Sequence, residues 1–166
     1  MNGGESMLDS CTARKLTALF ETMLEFYREF LVLEEKKLDA LKSSRLELLD
    51  SLLRKEQAFV LRAKGLELER QRLMEGTENS GATFRALLEL FPPEEREKPT
   101  ELYEELSSTI VRLQKVSADS EHLLRIKSTR AAAIISRLEN DPQLRQVYSE
   151  KLNKAKPDRS VFSKKI

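Results

Sequence analysis

Three long segments of this chain carry apolar residues at intervals of four and three, and this periodicity constrains the fold more than any other feature. The first segment places Leu16, Phe20, Met23, Tyr27 and Phe30 in one phase. A repeat near 3.6 residues brings such side chains onto one face of an α-helix. Further apolar residues lie beside this phase and widen the stripe beyond a two-helix seam. We therefore expect this helix to be covered by more than one neighbour.

A second helix is predicted after Ser43, because Ser44 and Glu47 have the spacing of a capping box. Its apolar residues in one phase are Leu49, Leu52, Phe59, Ala63, Leu66 and Leu73. Gly76 is placed to end the helix in the left-handed conformation. Gly65 interrupts the pattern, which favours a close helix crossing or a hinge at that point. A tight turn near 42–44 predicts that the first two helices are antiparallel.

The third stripe follows a longer connection, in which residues 84–91 form a short apolar piece that ends at Pro92. Pro99 suits the first turn of a helix, where its missing N–H costs nothing. The stripe comprises Leu106, Ile110, Leu113, Ser117, Ser120, Leu124, Lys127, Ala131, Ile134 and Leu138. The sequence therefore predicts an all-α fold, an elongated bundle of three long helices over roughly 8–42, 44–75 and 99–139. The first two would form an antiparallel hairpin, and a short helix would lie in the second connection.

The predicted core consists of the large apolar residues of these stripes: Leu16, Phe20, Met23, Phe30, Leu49, Leu52, Phe59, Leu66, Leu106, Leu113, Leu124 and Ile134. Charged residues also fall within the stripes. Glu34 and Lys37 lie in the first helix, and Asp50 and Arg54 would face them across an antiparallel turn. Either these long side chains lie at the edge of the stripe and reach water, or they pair and fix the register.

Charge is balanced over the whole chain but not along it. Lys and Arg total 29 and Asp and Glu total 28, so the net charge of +1 provides no field to attract nucleic acid or an anionic membrane. Residues 141–166, however, contain seven basic and three acidic residues. One short apolar stripe cannot offset the backbone entropy of ordering this segment. We therefore expect a bundle domain over 1–140 and a basic, mobile tail over 141–166 with a latent amphipathic helix.

Residues that could carry chemistry are few. The sequence holds one cysteine, Cys11, and one histidine, His122, which lies in the polar middle of the third helix. A single thiol forms no intramolecular disulfide, and a lone histidine has no second ligand at helical spacing. No glycine-rich phosphate loop or nucleophile elbow occurs. The sequence therefore predicts a protein that is not an enzyme and that holds no cofactor or metal.

Targeting signals and membrane spans are also not expected. The longest uncharged apolar runs, 30–33 and 131–135, are far shorter than the roughly 20 residues that cross a bilayer. Residues 1–6 have neither the basic nor the apolar region of a signal peptide. The single cysteine fits a reducing compartment. The sequence therefore predicts a cytoplasmic protein without a membrane span.

Several short runs combine with this helix order into a recognisable arrangement. They are Glu35-Lys36-Lys37-Leu38-Asp39-Ala40-Leu41, Leu46 to Leu49, Lys55-Glu56, Leu66 to Met74, Ile110-Val111-Arg112-Leu113-Gln114 and Leu123-Leu124. Over roughly 30–140, the chain resembles the FlgN-type flagellar export chaperones. The resemblance implies a cytoplasmic chaperone that binds amphipathic terminal helices of the hook–filament junction proteins and delivers them to the cytoplasmic domain of the export gate.

The resemblance also implies which residues take part. Apolar residues of the substrate helix would complete an apolar surface that the chaperone leaves uncovered. We expect this surface to include Ile134, Ile135, Leu138, Leu144 and Val147. The family's tail tyrosine docks on the export gate, and the resemblance assigns this role to Tyr148. Two alternatives stay open, because Tyr148 could instead pack on the bundle, and the tail stripe could fold back over the groove near Ile134 and Leu138.

Other function classes compete with the chaperone. A self-associating coiled-coil scaffold or adaptor would bury its wide stripes against copies of itself, and a homodimer is possible in either case. A nucleic-acid binder would use the basic tail, but few aromatic residues lie among the tail's basic residues to stack on bases. Binding of isolated amphipathic peptides from junction proteins separates the chaperone from the scaffold.

Overall fold

The computed structural model describes residues 7–155, which form five α-helices with no strand among them. The helices are α1 (Ser10–Lys42), α2 (Leu46–Met74), α3 (Phe84–Leu90), α4 (Glu97–Asn140) and α5 (Pro142–Ala155), with a short 3-10 turn at Pro93–Glu95. The all-α class is confirmed. The three long helices begin and end within two residues of the predicted bounds. The short helix expected in the second connection is α3.

The chain divides into two compact units, a first unit of Met1–Leu123 and a second unit of Leu124–Ile166. The division therefore falls within the sequence of α4. The domain boundary expected at 140 and the mobility of the tail remain predictions. Residues 156–166 of the predicted tail lie outside the described residues.

The turn after α1 is a helix C-cap, so the predicted capping box is wrong. Ser44 has a left-handed φ of 55°. The Arg45 N–H donates to the Ala40 carbonyl at 3.0 Å, and the Ser44 N–H donates to the Leu41 carbonyl at 3.4 Å. These are the two hydrogen bonds of a Schellman motif. An N-cap residue needs extended backbone, and the N-cap position of α2 belongs to Arg45 rather than to Ser44.

The two glycines of interest behave differently. Gly76 has φ of 79° just after α2, so its predicted role at the helix end is confirmed. Gly65 lies within continuous α2, and a Cβ atom built there would have no neighbour within 4 Å. The close crossing expected at Gly65 is therefore wrong, since nothing lies against the position that a side chain would take.

Three apolar clusters form the core of the first unit, and α1 contributes to each of them. One joins α1 to the end of α2 and to α3 through Leu16, Phe20, Met74 and Leu87, among others. The next joins α1 to Leu66 of α2 and Leu106 of α4. The last joins Leu33 and Ala40 of α1 to Leu52 of α2. The wide stripe predicted for α1 is thus covered by several neighbours.

Most predicted core residues are indeed in this core. The buried ones are Leu16, Phe20, Met23, Leu52, Leu66, Leu106 and Leu113. Phe30, Leu49 and Phe59 are partly buried and pack against the clusters. The Phe59 ring stacks on Phe26 with a centroid distance of 5.5 Å and lies 5.3 Å from Phe30. Leu124 and Ile134 are exposed, so their assignment to the core is wrong.

A ladder of ion pairs joins α1 to α4. Its three rungs are Glu21–Lys98, Arg28–Glu105 and Glu35–Arg112. The partners of each rung are 77 residues apart, and successive rungs follow at seven residues on both helices. Since residue numbers rise together, α1 and α4 run parallel along the ladder. Such heptad-spaced pairs flank the apolar seam of coiled coils and set its register.

This register also limits how much of α4 the ladder can pair with α1. The offset of 77 residues assigns Lys42, the last residue of α1, to Asp119 of α4. Positions of α4 after 119 therefore have no α1 counterpart in the ladder. The stripe continues in the sequence to Leu138, but a periodic stripe becomes core only where a partner helix is long enough to cover it.

A charged triad lies buried between α1 and α2. Lys37 Nζ is 2.8 Å from Glu34 Oε2 and 2.8 Å from Glu56 Oε1. The Glu34 side chain is only 1% exposed, so the expectation that Glu34 and Lys37 reach water is wrong. The expected partners are wrong as well, because Asp50 and Arg54 pair with each other at 3.0 Å on the surface. Glu56 is the α2 residue that Lys37 bonds.

The triad shifts the pKa values of its members. Burial removes water from Glu34 and raises the pKa of its carboxyl group, and the nearby Glu56 raises it further against the opposing effect of Lys37. Burial acts to lower the pKa of Lys37, but its bonds to the two carboxylates outweigh burial and raise it. The buried charge of Glu34 therefore opposes folding at neutral pH.

Arg70 fastens the end of α2 to the following connection. Its Nη1 donates to the Ala82 carbonyl at 3.2 Å, and its Nη2 donates to Glu67 Oε1 at 2.6 Å. The guanidinium also lies over the Phe84 ring at 5.3 Å. The hydrogen bond from Arg70 lowers the pKa of Glu67. One buried cation thus holds α2, the loop after it and the start of α3.

We predict that Glu34→Gln changes how stability depends on pH. A carboxyl whose pKa is raised by folding binds its proton more tightly in the folded state, so it costs folding free energy as pH rises above 4.5. Glutamine removes this cost. The free energy of unfolding of Glu34→Gln minus that of the parent should therefore increase from about pH 4 to about pH 7. Urea unfolding followed by circular dichroism measures it.

Glu29→Gln, at an exposed position of α1, is the matched control and should show little pH-dependent difference from the parent. If Glu34→Gln and Glu29→Gln depend on pH in the same way, the buried carboxylate does not carry a raised pKa.

We predict that two truncations in the same α4 stripe lower the free energy of unfolding by very different amounts. Leu113→Ala removes a buried side chain and should lower the free energy of unfolding by about 2–5 kcal/mol. Ile134→Ala removes an exposed side chain and should change it by less than about 0.5 kcal/mol. Urea unfolding of both variants tests whether the α4 stripe is buried at Leu113 but not at Ile134. Equal losses would mean that the stripe is buried along its whole length.

Candidate functional site

Specific capping contacts hold the junction between α4 and α5. Asp141 Oδ1 accepts hydrogen bonds from the backbone N–H groups of Gln143 at 3.0 Å and Leu144 at 3.3 Å. Pro142 occupies the first position of α5, where its missing N–H is no loss. Arg145 Nε donates to the Leu138 carbonyl in the last turn of α4 at 3.3 Å. These bonds hold the break between the end of α4 and the start of α5.

Two groups of exposed apolar residues lie in the second unit. The α4 patch consists of Leu124, Ile134 and Ile135, and the α5 patch consists of Val147, Tyr148 and Leu152. Their exposed fractions range from 39% for Tyr148 to 63% for Leu152. Surface residues of this kind usually mark interaction sites when they cluster on a soluble chain.

The α4 patch occupies one face of its helix. Ile135 and Leu138 follow Leu124 by 11 and 14 residues, and these intervals return to nearly the same direction on an α-helix. Leu138 is half-buried, as is Leu144 at the start of α5. The five predicted substrate-contacting residues thus flank the α4–α5 junction within one unit, three before Asp141 and two after it.

Residues with reactive or metal-binding chemistry do not gather here. His122 is exposed, and so is the free thiol of Cys11. Within residues 7–155, no group of three or more His, Cys, Asp or Glu side chains could hold a metal ion. The apolar patches can bury the nonpolar surface of a partner, and this is the chemistry that the second unit offers.

A further open groove lies in the first unit between α1 and α2. Its apolar floor is formed by Ala18, Leu19 and Leu73, and Lys15 and Arg72 stand at its rim. Leu19 and Leu73 belong to a core cluster, and none of the residues that line the groove is a predicted site residue.

Sequence reasoning missed part of the second unit's surface. Leu124 was expected in the core, and Arg130 and Arg137 received no role although both flank Ile134. The spacing could have shown that the two arginines lie beside Ile134, because residues four before and three after a helical position are its neighbours on the surface. What periodicity could not show was the length of the partner helix.

No helix within residues 7–155 is both long and apolar enough to cross a bilayer.

A comparison with protein families found one that fits the whole set of helices. The family described as FlgN protein matches residues 7–156, a range that contains α1 to α5 completely. Comparisons with curated proteins and with solved structures gave no match. The family is one of chaperones rather than enzymes. Because the match covers most of the sequence, the chain belongs to the FlgN family of flagellar export chaperones.

Proposed function

We propose that this protein is a cytoplasmic chaperone that binds amphipathic terminal helices of hook–filament junction proteins and delivers them to the export gate. Membership of the FlgN family supports the general role. The observation that carries the specific proposal is the exposed apolar surface of the second unit. Terminal helices that stay unfolded until assembly need a partner to cover their apolar face, and an exposed helical stripe provides one.

The substrate helix is proposed to contact Ile134, Ile135 and Leu138 of α4, and Leu144 and Val147 of α5. All five are exposed or half-buried, so each has apolar surface left to bury. An amphipathic helix presents apolar residues at i, i+3, i+4 and i+7, which match the spacing of a helical stripe. The caps at Asp141 and Arg145 hold the two contributing helices at a defined junction.

Tyr148 is proposed to dock on the cytoplasmic domain of the export gate. Its side chain is 39% exposed in α5 and is the one aromatic ring between residues 124 and 155. Tyrosine contributes a large apolar ring and a hydroxyl group at low entropic cost, which suits a small docking contact.

The first unit is proposed to act as the rigid part of the chaperone. In this proposal α1 and α2 form an antiparallel hairpin, and the beginning of α4 completes a three-helix bundle with them. Contacts of late α1 with early α2, such as Lys37 with Glu56, and the ion-pair ladder between α1 and α4 support this arrangement.

A self-associating scaffold is the second candidate, because the same apolar patches could be buried in a homodimer. A dimer through the patches would dissociate when Ile134 and Ile135 become charged. Sedimentation of the parent and of that variant distinguishes self-association from peptide binding.

We predict that Ile134→Asp/Ile135→Asp weakens binding of amphipathic C-terminal peptides from junction proteins by at least about tenfold. Charged groups at a desolvated contact leave unpaired charge, which costs more than the loss of apolar area alone. Calorimetry or fluorescence anisotropy gives the affinity, and circular dichroism confirms folding.

Leu61→Asp, at an exposed residue of α2, is the matched control and should bind the peptides like the parent. Unchanged binding by the double variant would exclude the α4 patch, and loss of binding in a Leu19 or Leu73 variant would point to the groove of the first unit. A parent protein that binds no junction peptide contradicts the proposed function.

We predict that Tyr148→Ala weakens binding to the purified cytoplasmic domain of the export gate without lowering the melting temperature. An exposed ring contributes little to folding, so its removal should act on the partner contact. Junction peptides should still bind this variant. Gln146→Ala, at an exposed neighbour in α5, serves as control. A large drop in melting temperature with intact gate binding would show that Tyr148 packs within the protein instead.

A further inference from the structure

The second unit combines its apolar patches with an excess of positive charge. Between residues 124 and 155 there are seven basic side chains and three acidic ones. The basic residues are Arg125, Lys127, Arg130, Arg137, Arg145, Lys151 and Lys154. Where these charges lie relative to the patches determines which partner the surface fits.

Two basic residues of α4 lie beside Ile134 on the same side of the patch. Arg130 precedes Ile134 by four residues and Arg137 follows it by three, so both are surface neighbours of Ile134. Both side chains are exposed. On the other side, Glu139 follows Ile135 by four residues. The positive flank is therefore on the side of Ile134, and the patch has a charge polarity across its width.

On α5 basic residues also adjoin the patch, with Lys151 lying between Val147 and Tyr148 on the helix surface. Lys151 follows Val147 by four residues and Tyr148 by three, and Lys154 follows Val147 by seven. Both lysines are exposed. Arg145 differs from them, because its guanidinium is bonded to the Leu138 carbonyl and holds the helix junction.

The acidic residues near the patches are fewer than the basic ones. Asp141 is used as the N-cap of α5, where its carboxylate accepts two backbone hydrogen bonds. Glu150 lies three residues after Val147 and is therefore a surface neighbour of Val147, as Lys151 is. Each patch thus keeps two exposed basic neighbours, Arg130 and Arg137 on α4 and Lys151 and Lys154 on α5.

We infer that the second unit selects amphipathic helices that carry acidic residues along one flank of their apolar face. This inference rests on the proposed function and adds the chemistry of the substrate. Apolar burial supplies the contact, and the basic flank distinguishes an acidic helix from a neutral or basic one, because rim charges set specificity and encounter rate more than affinity.

A protein partner fits this surface better than other anions do. Single-stranded nucleic acid is bound by aromatic residues that stack on bases, and Tyr148 is the one aromatic residue in 124–155. The family's chaperone role also favours a polypeptide. Anionic membranes and nucleic acid are therefore separate outcomes of the test.

Three synthetic peptides of about 18 residues test the inference directly. They share leucines at i, i+3, i+4, i+7 and i+11 and differ only in flanking residues, which are Glu, Gln or Lys. The full chain should bind the Glu peptide about tenfold more tightly than the Lys peptide at low salt, and this preference should shrink as salt is raised, since screening weakens surface charges. The Gln peptide reports apolar binding by itself.

Arg130→Gln/Arg137→Gln/Lys151→Gln/Lys154→Gln should remove the preference and still bind the Gln peptide. The control Arg14→Gln/Lys36→Gln/Lys55→Gln/Lys64→Gln removes the same charge from exposed positions of the first unit and should keep the preference. A loss of preference in both variants would indicate an effect of net charge and overturn the assignment to the patches.

Three further results of the binding experiments would contradict the inference. Equal binding of the Glu and Lys peptides at low salt overturns the inference and leaves the proposed function intact, provided that the Gln peptide binds. Failure of all three peptides overturns the inference, and the proposed function falls with it only if the junction peptides also fail to bind. Tighter binding of single-stranded DNA or of anionic phosphatidylserine vesicles than of the Glu peptide, lost in the patch variant, would assign the basic flank to that partner instead.

Discussion

The first unit depends on the wide apolar surface of α1. Residues of this helix take part in all three core clusters, where they meet α2, α3 and the start of α4. A helix of 33 residues with apolar side chains around more than one face cannot stay in water unless several neighbours cover it. Arg70, the Lys37 triad and the ion-pair ladder are polar contacts that hold these neighbours in place around α1.

What could be predicted from the sequence was the part that local periodicity determines. Helix bounds followed from stripe length and from residues such as Gly76 and Pro99, because these act through their own backbone geometry. Side-chain partners did not follow, because they depend on register. Lys37 bonds Glu56 instead of the expected residues, and Ser44 takes a conformation imposed by the end of the preceding helix.

The same limit on prediction from sequence applies to the candidate site. Helical spacing indicated the apolar stripe around Ile134, and the resemblance to the family indicated the tail residues Val147 and Tyr148. The spacing could not distinguish core from surface, because an apolar stripe has the same pattern whether its partner is in the chain or is another molecule. Ile134 was predicted both as a core residue and as a substrate contact, and its exposure rules out the first assignment.

The alternating sign of the ladder has a consequence for the accuracy of folding. An apolar seam nearly repeats itself every seven residues, so a slippage of α4 by one heptad would leave much of the seam matched. The charges would not match, because slippage in one direction sets Glu21 against Glu105 and Arg28 against Arg112, and slippage in the other sets Arg28 against Lys98. Each rung is weak in the native pairing, yet every rung that still has a partner becomes repulsive after the slip. The ladder thus acts chiefly by excluding misaligned pairings of two helices that are 77 residues apart in the chain.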